Sequence, residues 1–101
     1  MIVAFSVSPA GTAESDGGVS EAVAAAVRVV RESGLPHRTG SMFTEIEGEW
    51  DEVMDVVKRA TDAAGENAAR VGLVIKADIR PGYTGQLDAK IDRVESHLRD
   101  D

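Results

Sequence analysis

The sequence predicts an α+β domain in which a four-stranded antiparallel sheet carries two helices on one face, with one more helix at the C-terminal end. Three observations lead there. Apolar side chains alternate with polar or small ones in two stretches, Ile2 to Ser8 and Val71 to Ile79, as strands with one buried face require. In three other stretches apolar residues recur at helical spacing between capping and stopping residues. The resulting order is strand, helix, strand, strand, helix, strand, helix, in which the first two helices each return the chain to a sheet they can cover.

Each element has its own warrant. Ile2 to Ser8 is rich in β-branched and aromatic residues and runs into Pro9-Ala10-Gly11, a turn signal. After Gly17-Gly18, Ser20 is suited to cap a helix whose Val23, Val27 and Val30 are spaced for one face, and Gly34 with Pro36 ends it. From His37 to Gly48 the helical period is lost, and Thr39, Phe43, Thr44 and Ile46 among glycines suit two short strands joined tightly. Glu49-Trp50-Asp51-Glu52 places acids where a helix N-terminus is electropositive; Val53, Val56, Val57, Ala60 and Ala64 supply its apolar face before Gly65. Val71, Leu73, Ile75, Ala77 and Ile79 form the clearest strand pattern, and Pro81-Gly82 turns the chain. Thr84 is suited to cap the last helix, with Leu87, Ile91, Val94 and Leu98 as its apolar stripe. Together these predict a split βαβ, ferredoxin-like sheet in spatial order 4-1-3-2, with an additional C-terminal helix.

The 101 residues fit one domain spanning 1–101, with no linker composition to divide them. A formal net charge of −7 argues against a nucleic-acid partner, because phosphate neutralisation needs a basic stripe. The chain has no cysteine, which excludes disulfides, thiol catalysis and thiolate metal sites. The apolar opening lacks a basic leader and is broken by Ser6, Ser8 and Pro9, so neither a signal peptide nor a membrane span is expected, and the expected location is the cytoplasm.

Strand parity directs attention to the sheet face that the first two helices leave bare. With Val3, Phe5 and Val7 facing the helices, Ser6 and Ser8 face the other way, as do Glu45 and Glu47 beside Ile46, and Lys76 and Asp78 on the last strand. The strand order is expected to bring the serines between Glu47 and the pair Lys76 and Asp78. Taken singly, each is most simply a polar residue on a wetted sheet face. Taken together, and covered by a second subunit or the last helix, they would make a partly enclosed polar site.

The segments Phe5-Ser6-Val7-Ser8-Pro9 with Gly11, Val27 to Pro36, Met42 with Thr44-Glu45-Ile46-Glu47-Gly48, and Lys76-Ala77-Asp78-Ile79-Arg80 run in an order and spacing that resemble the thiamine-binding protein family. The resemblance covers nearly the whole chain. It implies a small ferredoxin-like protein that binds thiamine, or its hydroxymethylpyrimidine half, and assembles through its sheets into homodimers or homotetramers. No catalytic residue, metal or resident cofactor is implied. The residues carried over are Ser6, Ser8, Thr44, Glu47, Lys76 and Asp78, joined by Met42 or Phe43 as an apolar wall. An aminopyrimidine offers an amine beside ring-nitrogen acceptors and the thiazolium carries a positive charge, so a carboxylate with hydroxyls complements them. Glu47 is the preferred contact, with Lys76 orienting it. The sequence departs from the family pattern at Phe43, where glycine is common, and at Thr61-Asp62-Ala63, where His-Glu-Ala is common.

Other features have plainer readings. Pro9-Ala10-Gly11-Thr12 and Gly17-Gly18 lie where phosphate loops occur, yet the Walker lysine and G-x-G-x-x-G are missing. His37 and His97 have no carboxylate at metal-ligand spacing, and Trp50 reads as an apolar anchor of its helix. Two other functions compete with ligand carriage: a subunit-interaction module whose open face serves only assembly, and an enzyme of thiamine salvage using Glu47 as general base.

Overall fold

The structure is a computed structural model and describes residues 1–11 and 20–99. Its elements follow the predicted order: β1 (Ile2–Ala10), α1 (Ser20–Glu32), β2 (His37–Thr39), β3 (Thr44–Glu47), α2 (Trp50–Ala64), β4 (Arg70–Asp78) and α3 (Gln86–Arg99). The sheet order is β2-β3-β1-β4, antiparallel throughout, which is the ferredoxin-like arrangement expected.

The core lies between the sheet and the pair α1 and α2. Val3 and Phe5 of β1 and Ile46 of β3 meet Ala26 and Val30 of α1 and Val53, Val56, Val57, Ala60 and Ala64 of α2, all buried. The pairing of Val3 with Ile46 and Ala77, and of Phe5 with Thr44 and Ile75, puts these residues on the helix side. Their neighbours Ile2, Ala4, Ser6, Glu45, Glu47, Lys76 and Asp78 therefore share the opposite face, as parity predicts.

β3 is only four residues long, and its pairing with β1 ends at Phe5 and Thr44. Beyond Phe5, β1 has β4 on one side and no strand on the other among the described residues. This explains why β1 continues to Ala10 rather than stopping at Ser8: where the strand has become an edge, Pro9 forfeits little by lacking an N–H. Gly11 then turns the chain at φ +69°, close against Ala69; a Cβ there would lie 2.8 Å from the Ala69 Cβ. The predicted Gly17-Gly18 and Thr12 loop features lie outside the described residues, as does the residue before Ser20, which is itself already helical.

The helix termini follow their sequences. Glu49 is extended ahead of α2 and its N–H donates to Glu52 Oε1 at 3.2 Å, while Gly65 closes the helix by donating to the Thr61 carbonyl at 3.0 Å. Trp50, expected as an apolar anchor, is instead 55% exposed, because the first turn of α2 points it away from the core face that begins at Val53.

Two surfaces are more open than the sequence suggests. Leu73 and Ile75 are on the helix side of β4, yet are 40% and 38% exposed, because β4 is an edge strand beyond the full cover of α2. On α3 only Leu87 is buried, and Ile91, Val94 and Leu98 of the same stripe are exposed. No helix among the described residues is long and apolar enough to cross a membrane.

Candidate functional site

The shortness of β3 opens a cavity. Past Phe5 the edge of β1 is flanked not by a strand but by the hairpin loop 40–43, closed by the Gly40 N–H donating to the Phe43 carbonyl at 2.9 Å. Between this loop, β1 and α1 lies a cavity of about 290 Å³. Ser6, Ser8, Met42, Phe43 and Thr44, five of the eight residues singled out in the sequence, line it. Its remaining apolar walls are Phe5 and Val7 from β1 and Val23 and Val27 from α1, for which the sequence suggested only core packing, together with Ala26 of α1. Thr39 and Ser41 add hydroxyls to those of Ser6, Ser8 and Thr44. The one available signal was the Val23 and Val27 spacing. The fully buried face of α1 is Ala26 and Val30, so those valines are apolar residues that face a cavity rather than the core.

The cavity thus sits on the helix side and at the β1 edge, whereas the sequence pointed to the bare face. Parity correctly separates Ser6 and Ser8 from Phe5 and Val7, but at an unpaired edge both faces of a strand border the same space. Its walls can sandwich a flat heterocycle between aliphatic side chains and Phe43, with hydroxyls at its rim able to donate and accept. Among the described residues no carboxylate lines it.

Glu47, Lys76 and Asp78 lie elsewhere. Glu47 and Asp78 flank Ile2 across β1, four residues along the strand and two same-face pairs from Ser6, which faces Val74. Glu47 is 5% exposed, and its carboxylate is fully engaged: Oε2 accepts the Gln86 N–H at 2.9 Å and Oε1 the Leu87 N–H at 3.1 Å. Lys76, expected to orient it, faces Ala4 one pair further along. The orienting groups are instead the first backbone amides of α3, and Glu47 is the cap that Thr84 was expected to supply.

Two ion pairs also fasten α3 to the sheet. Arg38 Nη2 lies 2.6 Å from Asp88 Oδ1, and Lys90 Nζ 2.6 Å from Asp78 Oδ2. The hydrogen bond from Lys90, and then its charge, hold the Asp78 carboxyl below the ordinary aspartate value. Glu47 and Asp78 border a second, smaller cavity of about 180 Å³ at the β4–α3 corner, with Arg80, Tyr83 and the α3 residues Gln86, Lys90 and Arg93. On α2, the Thr61 hydroxyl donates to the Val57 carbonyl at 2.7 Å, so this departure from the family pattern is met within its own helix. His37 Nδ1 is 2.9 Å from the Leu35 carbonyl oxygen.

Residues 3–95 match the model of the family described as thiamine-binding protein. The chain belongs to that family. A UPF0045 protein of Mycobacterium bovis is 52% identical over 99 residues, covering 97% of this chain and 94% of that protein. A solved domain of unknown function from Bacillus cereus superposes with a TM-score of 0.80 at 36% identity, over 89% of this chain and 85% of that one. A Thermotoga maritima protein provisionally described as one of thiamine biosynthesis or salvage superposes with a TM-score of 0.71 at 28% identity, over 88% of this chain and 94% of that one.

Proposed function

We propose that this protein binds thiamine or its hydroxymethylpyrimidine half without transforming it, as a carrier, store or sensor in the cytoplasm. The observation that carries the reading is the meeting of Ser6, Ser8, Thr44 and Phe43 around one cavity between β1, the hairpin loop and α1. At about 290 Å³ the cavity is near the lower end of small-molecule pockets, roughly 300–1,000 Å³, which suits the pyrimidine ring better than a large cofactor. Family membership and the thiamine-related description of the Thermotoga maritima neighbour support the ligand class. The engagement of both Glu47 oxygens by backbone N–H groups of α3 supports binding over general-base catalysis, since a base must present an oxygen to its substrate. Calorimetry with thiamine and with hydroxymethylpyrimidine tests the proposal. Saturable heat that is lost in Phe43→Ala supports it, and no heat from folded protein at high micromolar ligand rejects it.

A second role, assembly into homodimers or homotetramers through the sheet, is favoured by a specific observation. Val74 on the bare face, and Ile91, Val94 and Leu98 on α3, are apolar and exposed in one protomer. The radius of gyration, 15.3 Å, exceeds the ~13 Å expected of a compact domain this size, consistent with a projecting α3. The nine residues of β4 also form a long unshielded sheet edge of the kind that pairs with another strand.

A further inference from the structure

We infer that the cavity at the β4–α3 corner is an anion site for a phosphate-type oxyanion, either free or at the end of a small ester. The site is separate from the heterocycle cavity. Ile2 and Ser6 border the two cavities and are four residues apart on β1, roughly 13 Å at the usual strand rise.

The chain has 18 acidic and 11 basic residues, yet three of the basic ones, Arg80, Lys90 and Arg93, meet at this cavity. They come from different elements: Arg80 from the exit of β4, and Lys90 and Arg93 from successive turns on one face of α3. Each is held in place. The Arg80 guanidinium carbon lies 3.5 Å above the centre of the Tyr83 ring. Arg93 Nη2 donates to Gln86 Oε1 at 3.2 Å, and Gln86 is anchored in turn by its Nε2 donating to the Thr84 carbonyl at 2.9 Å. Lys90 is fixed by Asp78.

The two carboxylates on the cavity wall do not cancel this charge. Glu47 is compensated by the amides at the α3 N-terminus, and Asp78 is matched by Lys90. Arg80 and Arg93 are held by neutral partners, a ring and an amide, and neither forms an ion pair among the described residues. Two guanidinium forks facing one small space match the paired oxygens of a phosphate better than a point charge would. The volume of about 180 Å³ falls below that of pockets for drug-sized ligands, roughly 300 Å³ and above, and so favours a small anion.

The test is an amide chemical-shift titration of the full chain with inorganic phosphate, and separately with glycerol phosphate, chloride being exchanged to hold ionic strength constant. Saturable shifts centred on residues 80–93 are expected. Tighter binding of glycerol phosphate than of phosphate would assign the site to esters, and the reverse order to the free ion. Arg80→Gln and Arg93→Gln are each expected to weaken binding about tenfold, the loss of one charge-assisted hydrogen bond. Arg80→Lys keeps the charge without the fork, and is expected to weaken binding less than the Gln variant does. The inference is overturned by shifts that stay linear in salt, by saturation centred on Ser6 and Phe43 instead, or by unchanged affinity in either the folded Arg80→Gln/Arg93→Gln double variant or Arg80→Lys.

Discussion

Glu47 on β3 accepts the backbone N–H of Leu87 at 3.1 Å from 40 residues upstream, and so caps a helix whose own preceding residues do not. The same carboxylate takes the Gln86 N–H, so one side chain joins the bare face of the sheet to the start of α3. Replacing Glu47 with Gln removes one acceptor oxygen and the charge that the helix dipole favours. A loss of about 1–3 kcal/mol is expected in urea unfolding, with faster hydrogen exchange at Leu87 and little change at Val53. Unchanged Leu87 exchange would show that the contact does not hold α3.

Binding in the heterocycle cavity is expected to depend on its two kinds of wall. Phe43→Ala removes the ring face and Ser6→Ala a rim hydroxyl. Each is expected to weaken hydroxymethylpyrimidine binding by about tenfold, leaving the unfolding midpoint nearly unchanged because neither residue is in the buried core. Lys76→Met, which touches neither cavity, is expected to bind as the parent does.

Ile46 has no exposed surface and packs at the centre of the core beside Val3. Ile46→Val is expected to cost about 0.5–1.5 kcal/mol with an unchanged denaturant slope, since it deletes one methylene and leaves the fold intact. A smaller loss would mean that the core relaxes around the gap.

Lowering the pH should loosen the Lys90–Asp78 contact in a predictable sense. Because Lys90 depresses the folded-state value of Asp78, the contact stabilises the fold fully above the ordinary aspartate value and is lost as pH falls through the depressed one. A carboxyl titration followed by NMR is expected to place Asp78 below the ordinary range, and Lys90→Gln should move it back upward. No movement in the variant would remove Lys90 as the cause.

Assembly predicts a solution mass above that of one chain. Val94→Asp combined with Leu98→Asp puts charge on the exposed α3 stripe, and is expected to yield monomers with native circular dichroism. A parent protein that is already monomeric at tens of micromolar would reject the assembly proposal.

Much of this protein was legible in its sequence because its elements announce themselves locally. Alternation at Val3, Phe5 and Val7 specifies a strand face, and Val53, Val56, Val57 and Ala60 specify a helix face, whatever their eventual partners. Which segment pairs with which residue is not local information. The tertiary structure alone decided that β3 begins only at Thr44, opening a cavity along the β1 edge, and that Glu47 turns to the α3 amides rather than to Ser6 or Lys76. A carboxylate goes where unsatisfied N–H groups have been brought close to it, and those donors come from a helix 39 residues away.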